Sequence, residues 1–331
     1  GLQLKPGTGY WLRIPEYMGA PKLTMRNASP VSAYHSINLY KGWNLISNPY
    51  SYGIEWGRCR IHEGSTVYEI SDAIKRGLIR SYLWQWDTNT QEYINPLLVS
   101  STGDYRMEMK PYVGYWVYAQ KDLQLTFRDT AEYDWVYYAP PAPRTVRNPG
   151  EWSVPLKVES ATAKDTSNRF GVSQASADTL LQRNMLKVPA SPWGLAAYLL
   201  PRDGAGRSTE PCAVEYQAPR MVNEWQLVVE CAKPNEEVTV RWPDLTEVPR
   251  RTALYLKDEE TGKRLYMRTN SAYTFNSGTG GARRFTITAG EPVTPPTVLT
   301  FRPVSSRNGV AVAFQLSEPA TVTGTFRTPA G

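Results

Sequence analysis

Two stretches of the chain are near copies of one another: KPGTGYWLR at residues 5–13 and KPYVGYWVY at residues 110–118. An internal repeat constrains architecture more than any single motif, because each copy asks for the same local structure and the same kind of neighbour. Extended, the copies align over residues 4–25 and 109–127. Both read as a Lys-Pro turn, an aromatic strand, a short polar link and an alternating strand. What precedes the second copy occurs once. SINLYKGWNLISNPY (36–50) gives two short strands about a Lys41-Gly42 turn. Residues 65–78 place Val67, Ile70, Ile74 and Leu78 at helical spacing, with Ser65 as N-cap and Gly77 as stop. Residues 82–94 read as two aromatic strands about a turn at 87–90. Residues 33–128 are therefore expected to form a complete β-rich module with one short helix, and residues 1–30 the closing half of another.

Beyond it the pattern changes. Residues 129–150 are Pro-rich and read as a semi-rigid linker. Residues 151–290 hold many short alternating runs separated by turn signals, with no long helical pattern, which predicts an antiparallel sandwich or jelly roll. A second linker, EPVTPPT at 291–297, leads into residues 298–331, where Val310, Val312, Phe314 and Leu316 alternate on one face. The expected fold class is mainly β and multidomain: small β-rich modules, an antiparallel sandwich or jelly roll, and a partial β-sheet at the end.

Composition narrows the partners. An apolar fraction of 41% and a charged fraction of 21% are those of an ordinary folded chain, while 11 Trp and 21 Tyr suit half-buried sheet faces and interfaces. The net charge of +6 is spread over scattered Lys and Arg, so nucleic acid is not an expected partner. No run approaches the roughly 20 apolar residues of a membrane span, and none is expected. The sequence opens on Gly1 without a leader, so the chain is expected to be processed or a fragment.

Chemistry-bearing residues are sparse. Cys212 and Cys231 flank what reads as a hairpin, a geometry that would bring them together as a disulfide, with two buried free thiols as the alternative. Cys59 is then left over. His35 and His62 stand in no triad or zinc spacing and read as surface or packing residues. Asp165, Asn168 and Asp178 in KDTSNRFGVSQASAD could line a calcium loop, or an Asx-turn network could hold that loop. Trp84 and Trp86, two apart on one strand, share a face that is either core or an aromatic platform for stacking on sugar rings. No catalytic motif stands out, so neither enzymatic activity nor a cofactor is expected.

The pair KGWNLISNPY and GYWV resembles a module common in large secreted or surface-attached bacterial proteins. VAVAFQLSEPATVTGTF (310–326) is similar to the opening strands of the immunoglobulin-like domain named after the flagellar hook-cap protein. DTSNRFGV (165–172) and TGKRLYMR (261–268) look like the β-domain that commonly precedes it. The resemblance implies an extracellular or cell-surface location and leaves the activity open, since such modules accompany enzymes, adhesins and fibres alike. Two roles are expected. In the first, the chain is a subunit of a surface filament, joined head to tail with copies of itself through incomplete terminal modules. The assembly edges are then Tyr10, Trp11 and Leu12 at one end and Val310, Val312 and Phe314 at the other. In the second, these are accessory modules of a larger secreted enzyme or adhesin, binding polysaccharide or attaching to the cell.

Overall fold

The structure, a computed structural model, describes residues 3–12, 14, 19, 31–98, 108–128, 150–176, 183–190, 194–201, 210–290, 298–306 and 309–316. It is mainly β, as expected, with small β-rich modules and a larger curled sheet. The chain divides into two units. One comprises Gly1–Arg147, Asp165–Ser167 and Val188–Ser191; the other comprises Asn148–Lys164, Asn168–Lys187 and Pro192–Gly331. No helix among the described residues is long and apolar enough to cross a membrane.

In the first unit, strands β1 (Tyr34–Leu39), β2 (Gly42–Ser47), β3 (Ile54–Glu55), β4 (Arg60–Glu63), β5 (Thr66–Glu69), β6 (Tyr82–Asp87), β7 (Glu92–Leu98), β8 (Glu108–Met109), β9 (Gly114–Ala119) and β10 (Leu123–Arg128) accompany one helix, α1 (Ile70–Lys75). They make two four-stranded sheets, in the orders β1-β10-β4-β5 and β2-β9-β6-β7, with β3 and β8 paired separately. The two strands expected about Lys41-Gly42 do form, yet they enter different sheets. So do β9 and β10. These two crossings are tied together where they meet: the Lys41 N–H donates to Asp122 Oδ1 at 2.8 Å. Asn44 braces the first crossing from within, accepting from the Tyr40 N–H and donating to the Tyr40 carbonyl. Strand alternation then sends Leu39, Leu125, Phe127, Ile61, Ile46, Val117 and Leu83 into a common buried core.

The helix is shorter than its sequence pattern. Residues 66–69 instead form β5, which turns back on β4 through Gly64 in the left-handed region, φ 58°. Ladder hydrogen bonds to β4 hold these residues extended, and Val67, the first member of the helical stripe, is exposed. Helix α1 starts only after Glu69, and its stop is the expected one: Gly77 has φ 68° and donates to the Ile74 carbonyl.

The second unit contains β11 (Trp152–Ser160), β12 (Lys164–Val172, apart from Asp165–Ser167, which group with the first unit), β13 (Met185–Leu186), β14 (Leu195–Leu199), β15 (Cys212–Gln217), β16 (Val222–Cys231), β17 (Glu237–Arg241), β18 (Ala253–Asp258), β19 (Arg264–Tyr266), β20 (Ala272–Asn276) and β21 (Gly281–Gly290). They run as β19-β18-β21-β16-β14-β15-β12-β11-β17-β20, with β13 on β15. The sheet curls back on itself into a sandwich. Trp225 of β16 packs on Phe170 of β12 at 4.9 Å and on Trp152 of β11 at 5.8 Å, although these strands are far apart in the order. Likewise Phe285 of β21 meets Tyr273 and Phe275 of the β20 edge. One pair departs from the expected antiparallel pattern: β12 and β15 are parallel, Arg169 to Val172 beside Val214 to Gln217. Strands β22 (Val298–Ser306) and β23 (Gly309–Leu316) form a separate antiparallel pair.

Candidate functional site

The repeat is the feature with the most definite local geometry. In each copy the Lys backbone N–H donates to the hydroxyl of the Tyr five residues on, Lys5 to Tyr10 and Lys110 to Tyr115, both at 2.9 Å. In each, the residue after the proline takes positive φ: 77° at Gly7 and 61° at Tyr112. The same bond and the same turn thus follow from the shared Lys-Pro-x-x-Gly-Tyr frame. Burial raises the Tyr115 hydroxyl pKa, opposed by the Lys110 N–H, so it remains a neutral phenol with its oxygen available as acceptor.

Both copies lie along β2, on opposite edges. The second contributes β9, with Ile46 opposite Tyr115 and Ser47 opposite Gly114. The first bridges Thr8 to the same Ile46 in antiparallel sense. Gly9 N–H donates to the Leu45 carbonyl at 3.0 Å, Ser47 N–H donates to the Gly7 carbonyl at 2.9 Å, and Ser47 Oγ donates to the Thr8 carbonyl at 3.0 Å. His35 adds a side-chain contact, its Nε2 lying 2.9 Å from the Pro6 carbonyl; since a carbonyl only accepts, that nitrogen carries the proton. The ring stacks on Phe127. His35 is thus a packing residue, as expected. The strand segment expected to be an open half-module is docked on its own chain at Gly7 to Gly9. Tyr10, Trp11 and Leu12 beyond it are 43%, 38% and 58% exposed. The alternating strand expected at 22–25 lies outside the described residues.

Next to this strap is an aromatic cluster. Trp11 meets Trp86 edge-on at 5.3 Å and Tyr93 at 6.4 Å, and Trp116 Nε1 donates to the Tyr93 hydroxyl at 3.1 Å. Trp84 and Trp86 do share a face, but their environments differ. Trp84 is fully buried, opposite Trp116 in the ladder, and its Nε1 has no hydrogen-bond partner. It is a core residue, which removes it from the sugar-stacking expectation. Trp86 is half-buried under Trp11 and Tyr93.

The expected disulfide is absent. All three cysteines are buried and none is in a disulfide. Strands β15 and β16 meet only near their turn, where Gln217 and Asn223 side chains bridge them. At the other end β14 is wedged between them, with Leu199 opposite Cys212 and Leu195 opposite Cys231. A four-residue offset along β14 amounts to about 13 Å, well beyond the roughly 7 Å limit for a bridge. Burial pushes the Cys59 thiol up to about 12, so it is unreactive in the folded unit.

The calcium loop is not a loop. Residues 165–172 form most of β12, and Asp165 and Asn168, three apart, fall on opposite faces. Asn168 is buried with its Oδ1 accepting from Lys187 Nζ at 3.1 Å, so a cation already occupies that oxygen. Asp178 lies outside the described residues. Of the distal edge residues, Phe314 is exposed opposite Phe301, Val312 is half-buried opposite Pro303, and Val310 pairs with Ser305 through the backbone.

Sequence reading missed two buried ionisable sites. Asp258, fully buried, receives Arg283 and Tyr273; burial alone would raise its carboxyl pKa, but these hydrogen bonds hold it at about 2. Glu215, 3% exposed, accepts from Gln217 Nε2 at 2.7 Å through Oε1 while Oε2 has no partner, and burial pushes its carboxyl up to about 7. An acid within an alternating strand carries no local mark of the partner its fold will supply. Comparison of the chain with protein-family models, with curated proteins and with solved structures finds no match.

Proposed function

We propose that the protein is an extracellular structural protein of bacterial surface type, a non-catalytic subunit that assembles with copies of itself by strand addition. The observation that carries this reading is the β22–β23 pair. Among the described strands each pairs only with the other. Phe301 and Phe314, directly opposite, are 69% and 45% exposed. Two strands alone are marginal in water, and an unpaired edge with an apolar face recruits a further strand. With the first copy of the repeat docked on β2, assembly is assigned to this hairpin rather than to the Tyr10–Leu12 end.

The test is the association state of the full chain against concentration, by light scattering and electron microscopy. Growth into oligomers or fibres is expected, and Phe301→Glu with Phe314→Glu together should return the chain to monomer. Wild-type chain that stays monomeric at high concentration removes the reading. The half-exposed pair Trp11 and Trp86 favours a second role, polysaccharide contact within a larger secreted protein. In that case Trp86→Ala weakens retention on an insoluble glycan, and unchanged retention of the folded variant argues against it.

A further inference from the structure

We propose that the outer edge of β2 is a strand-acceptor site selective for the segment Lys-Pro-Gly-x-Gly-Tyr, filled here by residues 5–10 of the same chain and open to the same segment of a second copy. The site is separate from β22 and β23 and does not depend on assembly through them. Its affinity comes from the main chain: Gly9 N–H to Leu45, Ser47 N–H to Gly7, and the Thr8–Ile46 bridge. Main-chain bonds alone select no sequence, so selectivity comes from how closely the two backbones approach.

Both glycines are required there. A Cβ on Gly9 would stand 2.6 Å from Leu45 Cγ and 3.0 Å from the Ile46 carbonyl oxygen. Gly7 has φ 77°, and a Cβ on it would stand 2.8 Å from Ile37 Cγ2 and 3.0 Å from Phe127 Cε2. The bond from Lys5 N–H to Tyr10 closes the segment into a preformed corner, which lowers the entropy lost on docking. His35 reads the carbonyl of Pro6. The second copy has the same corner but carries Tyr112 where the first has Gly7, with a ring 82% exposed in its own setting. On the outer edge of β2 that side chain would meet Ile37 and Phe127. The two copies are therefore not interchangeable, despite their common frame.

A second copy is the committed occupant, because its residues 5–10 present the identical bonds and the identical glycines. It competes only when the strap on the same chain lifts, so the apparent affinity in trans is reduced by the fraction of time the edge is empty.

The experiment uses the full chain with Gly9→Val, whose own strap cannot seat, and a fluorescent peptide of residues 3–12. Saturable binding at least tenfold tighter than to the wild-type chain is expected. Peptides carrying Gly9→Val, or spanning residues 108–117, should bind at least tenfold more weakly. Equal binding of all three peptides, or none by the folded variant, overturns the proposal. A second measurement covers a variant that does not fold. Excess wild-type peptide added to the wild-type chain should speed hydrogen exchange at the chain's Gly9 N–H while the Ser47 N–H stays protected, the signature of replacement rather than unfolding. Unchanged exchange at Gly9, or loss of protection at both amides, overturns it equally.

Discussion

Replacing Glu215 with Gln should make the second unit more stable as the pH rises above the ordinary carboxylate range, with the full gain reached above neutral pH. Glu215 stands on β15 opposite Phe170 in the parallel ladder with β12 and is 3% exposed. Its carboxyl is pushed from 4.5 to about 7 by burial, with the Gln217 hydrogen bond pulling the other way. Because the folded value lies above the unfolded one, its stability contribution is fully present below pH 4.5 and is lost as pH rises through about 7. The difference between the two values corresponds to about 3 kcal/mol once the pH is well above 7. Glutamine keeps the carbonyl that accepts from Gln217 and cannot ionise, so it avoids that loss.

The assay is urea denaturation at pH 5 and pH 8, read by the reactivity of Cys212 and Cys231. Both thiols are buried in this unit, whereas Cys59 belongs to the other, so they report the right transition. The variant should gain about 2.5 kcal/mol over wild type at pH 8 relative to the same comparison at pH 5, where a small part of the loss is already present. A difference between the two proteins that does not change with pH would refute the assignment of an ionising, desolvated carboxylate at this position.

Other perturbations follow from individual contacts. Asp258→Asn takes from the largely buried Arg283 guanidinium its buried anionic partner, leaving the more exposed Glu260 carboxylate at 3.1 Å, and should cost about 3 kcal/mol in urea melts at pH 7. Because the Asp258 carboxyl is held at about 2, the wild-type pair should persist until the pH falls below the unfolded carboxylate range. Gly171→Ala places a Cβ 2.4 Å from the Trp152 carbonyl oxygen and should destabilise the β11–β12 hairpin by about 3 kcal/mol, measured by thermal unfolding. Tyr115→Phe removes the acceptor of the Lys110 N–H and should cost about 1 kcal/mol, whereas replacing an exposed tyrosine such as Tyr112 should cost nothing measurable. Thiol titration in denaturant without reductant should find three thiols per chain, and a count of one would restore the disulfide.

Several of these features were legible before the fold. Alternation marked most strands, because a half-buried strand must send every second side chain inward. The repeat foretold a common local structure, and the Lys-to-Tyr bond and the positive φ after the proline appear in both copies. What failed shares one cause: each misreading took the local pattern alone where strand pairing decides. Cys212 and Cys231 looked adjacent because their strands are consecutive, yet β14 stands between them. Residues 66–69 matched a helix until β4 offered them a ladder. Asp165 and Asn168 matched a loop until strand alternation separated them.

The sequence by itself determined the period of each segment, the corner in each Lys-Pro-x-x-Gly-Tyr copy, and the places where glycine ends a helix or turns a chain. These are local matters, set by backbone sterics within a few residues. Only the tertiary structure decided that β1 and β2 part into two sheets, that Trp84 is core while Trp86 is half-buried, and that Glu215 is desolvated while Asp258 finds an arginine. It also decided that the first copy of the repeat lies on β2 of its own chain. Those outcomes depend on which distant backbone or side chain fills the remaining space, and that information is distributed over the whole chain rather than written beside the residue concerned.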